Sequence, residues 1–296
     1  MQRFTKDQQG SIQKLLEEIE ISVIYNFKGG VGKSTIAINL AAYLAARGKN
    51  VLLYDCDLQS NTSGGLLQTI KKPTLTEVLR DEATLDEAIR LARPNLWIVP
   101  ASSDLDNADK YIGDDLRKVR RLLHQLLLSG GMLDPETGQR VLPNTILMDT
   151  AGFTGITKSC ILAAKNLIIP VEYEFFSFQG IAIVLQKLEG LLTQQEHSVE
   201  IKAIIPTKVN ESRNLTKAYY KELRQDEELG DSLYPPVHMS VALPESQGET
   251  KSIFEYAPNS RAARELEIIA KYYMGELDLE TYFQEEEQKI AVQEGK

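Results

Sequence analysis

The sequence predicts an α/β fold in which a doubly wound, mostly parallel sheet carries helices on both faces. Three observations lead there. Six short, β-branched and almost wholly apolar runs recur along the 296 residues; helical patterns separate them; and a glycine-rich loop joins the first run directly to the first of those helices. Parallel neighbours need a long crossover, ordinarily a helix, so strands that alternate with helices assemble into a sheet covered on both sides.

Taken in order, residues 1–20 hold Ile12, Leu15, Leu16 and Ile19 at helical spacing. That suffices for one short helical extension and not for a helix-turn-helix domain. The six runs lie at residues 21–25, 51–54, 96–99, 145–148, 167–169 and 201–205. Continuous apolar character fits strands buried on both faces better than strands with one wet side. Between the first two, Ala37, Leu40, Ala41, Leu44 and Ala45 follow a helical period, and Gly48 is placed to end that helix. Residues 114–128 read as another amphipathic helix with Leu116, Val119, Leu122, Leu123, Leu126 and Leu127 inward. Its Arg117, Lys118, Arg120 and Arg121 fall mostly elsewhere and read as a solvated face. Residues 129–143 include Gly130-Gly131, Asp134-Pro135 and Gly138, the marks of a loop or hairpin insertion. With no repeat and no dividing linker, the expected organisation is an extension at 1–20, one α/β domain at 21–274 and a tail at 275–296.

Composition excludes several classes. Apolar stretches such as Leu167-Ile168-Ile169-Pro170-Val171 are far shorter than the roughly 20 residues of a membrane span. Met1 is followed by Gln-Arg-Phe-Thr-Lys-Asp, without the apolar run of a signal peptide, so a cytoplasmic location is expected. Cys56 and Cys160 lack Cys-x-x-Cys spacing and read as reduced thiols in or near the core. His124, His197 and His238 have no neighbour at ligand spacing, which argues against a structural metal. The net charge of -9 argues against a nucleic-acid partner at first sight. Seven acids and two lysines at residues 275–296 account for -5 of it, however, so a local basic face on the remainder stays open.

The chemistry concentrates in three elements. Phe27-Lys28-Gly29-Gly30-Val31-Gly32-Lys33-Ser34-Thr35 follows the first strand and opens a helix. Glycines there let backbone N–H groups converge on phosphate oxygens, and the helix N-terminus adds its dipole. Lys33 is the candidate cation for the β and γ phosphates, and the Ser34 hydroxyl the candidate ligand for magnesium. A plain Gly-rich turn is the competing reading, which the Gly-Lys-Ser ending and the strand-loop-helix context oppose. The second strand ends in Asp55-Cys56-Asp57-Leu58-Gln59-Ser60-Asn61, where Asp57 either serves phosphate chemistry or caps the next helix. Ile146-Leu147-Met148-Asp149-Thr150-Ala151-Gly152 has the pattern of a Walker B strand, whose Asp149 would hold magnesium through water.

The loop departs from Gly-x-x-x-x-Gly-Lys-Ser, because Phe27 stands where the first glycine belongs and Lys28 follows. It resembles the deviant Walker A loop, Lys-Gly-Gly-x-Gly-Lys-Ser/Thr, of the ParA/MinD family, and the likeness extends over residues 21–273. The resemblance implies a P-loop NTPase fold, ATP and Mg2+ as cofactors, and hydrolysis to ADP and phosphate. It implies that Lys28 crosses a dimer interface to the partner's ATP. Asp55-Cys56-Asp57 resembles the family's Asp-x-Asp-Pro-Gln switch, with Leu58 in place of proline, which implies that Asp57 prepares the attacking water. Ile204-Ile205-Pro206-Thr207 looks like the strand end that contacts adenine. Residues 254–263, Phe-Glu-Tyr-Ala-Pro-Asn-Ser-Arg-Ala-Ala, resemble the approach to the last helix of chromosomal-type ParA proteins.

For partners, the resemblance implies a homodimer with ATP, nonspecific nucleoid DNA and a cargo-bound adaptor protein that stimulates hydrolysis. Arg213 matches a DNA-binding arginine of such proteins, whereas Ala242 stands where a second basic residue falls. Lys208, Lys217, Lys221, Arg224 and Lys251 are the candidates to compensate, each also readable as a solvated surface charge. No membrane partner is expected, since the tail Tyr282-Phe283-Gln284-Glu285-Glu286-Glu287 is acidic where MinD-like members carry a basic amphipathic helix. Competing readings are a MinD-like or adaptor-type switch that binds protein without DNA, and a metabolic P-loop phosphotransferase.

Overall fold

A strand with apolar residues on both faces is stable only when both faces are covered. In the computed structural model, which describes residues 6–172, 177–210 and 223–284, the central strands meet that condition. In chain order the elements are α1 (Lys6–Glu18), β1 (Glu20–Ile24), α2 (Lys33–Ala46), β2 (Val51–Cys56), α3 (Asn61–Leu66), α4 (Leu75–Leu79), α5 (Leu85–Ala88), β3 (Arg90–Arg93) and β4 (Leu96–Val99). A 3-10 turn at Ser103–Asn107 leads to α6 (Ala108–Ile112), α7 (Lys118–Leu128), β5 (Met132–Leu133), β6 (Arg140–Val141), β7 (Thr145–Thr150), α8 (Gly155–Ile161), β8 (Asn166–Glu172), α9 (Ser177–Gln194) and β9 (Glu200–Thr207). After a 3-10 turn at Gly230–Ser232 come α10 (Ala242–Gly248), α11 (Ile253–Tyr256) and α12 (Arg261–Tyr273).

The main sheet has the order β3-β4-β2-β7-β1-β8-β9. Every pairing is parallel except β3 on β4. Side chains alternate between two cores with the period of two that a pleated strand imposes. Val23, Leu52 and Tyr54 face a core shared with α1, α4, α7, α8 and α9, while Ile24, Val51 and Leu53 face one shared with α2, α10 and α12. The doubly wound, parallel α/β architecture is therefore the one expected, and all six apolar runs are strands of this sheet.

Three details differ from the sequence reading or extend it. β3 was not expected: Arg-Leu-Ala-Arg carries no apolar run, and all four residues are partly exposed, because an antiparallel edge strand is covered on fewer sides. Helix α7 begins at Lys118 rather than at 114, because α6 ends at Ile112 and the left-handed Gly113 (φ 53°) opens a turn first. Lys118 itself is buried rather than solvated. Its ammonium donates to Leu79 O at 2.5 Å and to Asp81 at 3.0 Å, satisfying the C-terminal end of α4.

Residues 132–141 form the hairpin β5–β6, with Met132 opposite Val141 and Leu133 opposite Arg140. Gly131 (φ 92°) is required there, since a Cβ would stand 2.1 Å from Val141 O. The indole of Trp97 donates to Leu133 O at 3.1 Å and ties the hairpin to β4. Cys56 and Cys160 are buried free thiols whose sulfurs lie 3.5 Å apart across β2 and α8. Among the described residues no helix is long and apolar enough to cross a membrane, and no group of three or more metal-ligating side chains occurs.

Helix α4 shows how a short element is held. Thr74 and Glu77 form a capping box, with the Glu77 carboxylate accepting from Thr74 N at 2.8 Å and from its hydroxyl at 2.7 Å. Lys72 lies 2.8 Å from the same carboxylate. Burial works against the charge, but the Lys72 and Thr74 donors outweigh it and hold the Glu77 carboxyl down at about 2. A folded-state value below the ordinary one means stability that is present at neutral pH and lost as pH falls towards 2. Glu77→Gln is thus expected to lower stability by about 1 kcal/mol at pH 7 and by progressively less as the acid limb is descended. Urea unfolding of both forms at pH 7 and near pH 3 checks it.

Candidate nucleotide-binding site

The carboxyl ends of β1, β2, β8 and β9 open on one cleft of about 770 Å³. At its floor the glycine-rich loop leaves β1 through Asn26. That buried amide donates to Pro170 O at the end of β8 (2.8 Å) and accepts from Lys28 N (3.0 Å), so the loop's first turn is fastened to the neighbouring strand. Gly30 and Gly32 take φ values of 74° and 90°, a left-handed backbone that L-residues resist. Thr207 closes the other side, its hydroxyl donating to Val31 O at 2.8 Å. Gly29, Gly30, Gly32, Lys33, Ser34, Thr35 and Thr207 all line the cleft. Val31 is buried behind the loop, and Pro206 behind Thr207 has its carbonyl taken by Val237 N at 2.8 Å.

The loop's two lysines differ in setting. Lys33, the first residue of α2, is buried, and its ammonium donates to Lys28 O at 3.1 Å. Burial pulls its pKa down, against the pull of the Asp149 and Asp57 charges. Lys28 sits at the mouth with a side chain 48% exposed, 2.7 Å from the Glu172 carboxylate that ends β8. Lys208, in a left-handed conformation (φ 53°), approaches the other Glu172 oxygen at 3.8 Å. Phe27, in the place of the usual first glycine, carries Lys187 over its ring at 5.2 Å.

Two buried carboxylates stand side by side beneath the cleft, because Asp55 and Asp149 are register partners on β2 and β7. Burial, with the neighbouring Asp149 charge, pushes the Asp55 carboxyl up to about 7 despite its Ser63 donors. Burial likewise pushes Asp149 up to about 6, against hydrogen bonds from Thr62 and Ser34 and the charge of Lys33. Asp149 Oδ1 is buried with no hydrogen-bond partner, whereas Oδ2 accepts from Thr62 at 2.6 Å. An unpartnered carboxylate oxygen close to the Ser34 hydroxyl fits a magnesium ion and its water shell, with Lys33 as the neighbouring cation for phosphate. Asp57 lines the cleft above, its backbone N–H donating to Asp55 at 3.1 Å and its carboxylate accepting from Gln59 N at 2.9 Å. It does not act as a side-chain cap of α3, whose N-cap is Ser60.

A family profile of the AAA domain, AAA_31, matches residues 19–201, more than half of the chain. The chromosome partitioning protein ParA of Caulobacter vibrioides is 32% identical over 224 residues, 74% of this chain and 80% of that protein. The chain belongs to the ParA/MinD family. Solved structures share the family fold at lower identity. A McdA–ATP complex from Cyanothece matches with a TM-score of 0.71 and 20% identity, covering 87% of this chain and 97% of that one. A putative plasmid partition protein of Borrelia burgdorferi bound to AMPPNP gives 0.70 and 21%, covering 88% and 100%.

In this ParA/MinD-family chain the structure describes only some of the candidates for DNA. Arg213, Lys217 and Lys221 lie outside the described residues. Arg224 donates to Gly230 O at 3.1 Å and stacks over the Phe283 ring at 4.7 Å. Lys251 lies 3.9 Å from Glu249. Ala242 opens α10 at the edge of the second core.

Sequence reasoning missed Asn26, Thr62, Glu172 and Gln247, the last of which donates to the Thr35 hydroxyl at 3.0 Å, and it named Lys208 only as a candidate for DNA. Only Asn26 had a local signal, a polar residue at the end of an apolar strand. Its replacement strands Pro170 O and Lys28 N together. Asn26→Ala is expected to cost about 1–3 kcal/mol in urea unfolding and to weaken nucleotide binding measured by fluorescence.

Proposed function

We propose that the chain is an ATP-driven positioning switch. It binds Mg-ATP in this cleft and two chains dimerise around the nucleotide. The dimer holds nonspecific nucleoid DNA, and hydrolysis stimulated by a cargo-bound adaptor releases it. This reading locates the protein in the cytoplasm, on the nucleoid. The observation that carries it is the contrast between the two lysines: Lys33 is buried under its own loop, whereas Lys28 is 48% exposed at the mouth. Lys33 serves the β and γ phosphates of its own chain. Lys28 reaches nucleotide held by a second copy once a phosphate oxygen replaces Glu172. The partition proteins among the relatives support the positioning role.

In hydrolysis the oxygen of a water attacks the γ phosphorus while the bond to the bridging oxygen breaks, giving ADP and inorganic phosphate. The demand on the protein is positioning and charge neutralisation more than strong base chemistry. Asp57 orients the water, held by Asp55 through its backbone. The lysines neutralise charge on the phosphates, and Thr207 and the loop amides fix them in place. Ser34 and, through water, Asp149 would hold the magnesium ion, which would supply further charge neutralisation on the phosphates. Asp57→Ala is expected to keep ATP binding and slow phosphate release by about 10²-fold. Unchanged turnover would remove Asp57 from this role.

A second reading has its own observation. Met239 and Val241, 67% and 73% exposed, run just ahead of Ala242, with Met239 lining the cleft, an apolar surface that suits a protein better than a phosphate backbone. It favours a switch that binds a protein partner without DNA. Sedimentation with nonspecific duplex DNA, with ATP or ADP at two salt concentrations, separates the two. DNA binding that needs ATP and falls with salt is the expected result. ATP-dependent dimers that leave DNA unbound at both salts favour the second reading.

A further inference from the structure

Helix α3 has little of its own to hold it. It is six residues long, its N-cap Ser60 is left-handed (φ 52°), and no side chain caps it. Two carboxylates from the strands beneath do the holding. Ser63 donates to Asp55 Oδ2 through its backbone N–H at 2.7 Å and its hydroxyl at 2.6 Å. Thr62, next to it, donates its hydroxyl to Asp149 Oδ2 at 2.6 Å. All four residues are 0% exposed, so water does not substitute for these donors.

The two contacts have different consequences. Asp55 uses both oxygens within the protein, the second on Asp57 N. Asp149 has Oδ2 on Thr62 and Oδ1 without a hydrogen-bond partner, so the Thr62 hydroxyl, ahead of the weaker contribution from Ser34, favours Oδ1 as the open oxygen and opposes rotation of the carboxylate. Hydrogen bonds of this kind, from a residue that never touches the metal, orient its ligands and tune its affinity. Thr62 also lies on the helix that follows the Asp57 loop without a break, so whatever shifts Asp149 pulls on that loop.

We propose that Thr62 is a positioning residue for the divalent cation: its hydroxyl holds Asp149 with Oδ1 presented to a cation-bound water, and through α3 it links the cation's arrival to the placement of Asp57. The proposal rests on the reading of the cleft as a Mg-nucleotide site. No sequence signal marked Thr62, since a threonine after Asn61 reads as an ordinary first turn of a helix.

The test is a titration of Mg2+ into the full-length protein carrying fluorescent ADP, with affinity for the same nucleotide also measured in EDTA. Thr62→Val keeps the shape and removes the hydroxyl; Thr62→Ser restores it. The Val form is expected to need about 10-fold to 100-fold more Mg2+ to reach its midpoint, with the Ser form close to the parent and EDTA affinity the same in all three. A Val form that titrates like the parent overturns the proposal. Loss of binding in EDTA by Thr62→Val and by Thr62→Ala alike assigns the residue a purely structural part and also overturns it. Failure of the parent itself to bind nucleotide overturns the reading of the cleft, and this inference with it. That result is told apart from the others because the unaltered protein alone gives it.

Discussion

Two carboxylates buried side by side, Asp55 and Asp149, are the constraint around which the rest of the site is arranged. Taking like charges out of water is unfavourable, and the chain tolerates it only by surrounding them with donors. Ser63 and Asp57 N serve one carboxylate, while Thr62, Ser34 and the Lys33 charge serve the other. Each donor belongs to a segment that must hold still for phosphate chemistry: the loop after β2, the helix α3, and the first turn of α2. The pair therefore acts as a pin through three pieces of chain. Its residual imbalance, one oxygen without a donor, is what makes the place suitable for a cation.

The helices behind the loop extend the same logic away from the chemistry. Asn39, buried in α2, donates to Thr35 O at 2.8 Å and accepts from Ile253 N at 2.7 Å. Gln247 of α10 reaches the Thr35 hydroxyl. The segment that begins with the exposed Met239 and Val241 is thus joined by hydrogen bonds to the start of the phosphate-binding helix. Arg93 adds a surface clamp, holding Thr250 O at 2.7 Å and the Glu255 carboxylate at 2.7 Å. Residues 279–284 are helical and pack back on this side through Tyr282 against Tyr272, at 5.9 Å between ring centroids. The start of the acidic stretch is therefore anchored by aromatic contact, and by Glu276 on Arg47 at 3.1 Å.

What the sequence disclosed follows from where the information lies. The central strands were legible because burial on both faces forces apolar runs, and the phosphate loop because its parts are contiguous. β3 was not, since an edge strand of Arg-Leu-Ala-Arg looks like a loop. Lys118 was misread because charge argues for solvent, whereas here an ammonium meets the carbonyl end of another helix. Glu172 and Lys208 were invisible as a pair, because only the adjacency of β8 and β9 brings their side chains over the Lys28 loop. Thr62 hid for the same reason, its partner arriving from β7.

The position of β1 has a consequence for how the chain is made. It is made more than a hundred residues before its neighbours, since Glu20 pairs with Thr145 on one side and Ser22 with Asn166 on the other. Until those distant strands have been synthesised, an apolar strand with two uncovered edges waits in the nascent chain, exposed to mispairing. Non-local pairing of this sort folds slowly. The parallel order therefore leaves the exposed edges of β1 to be protected from mispairing while residues up to Glu172 are synthesised.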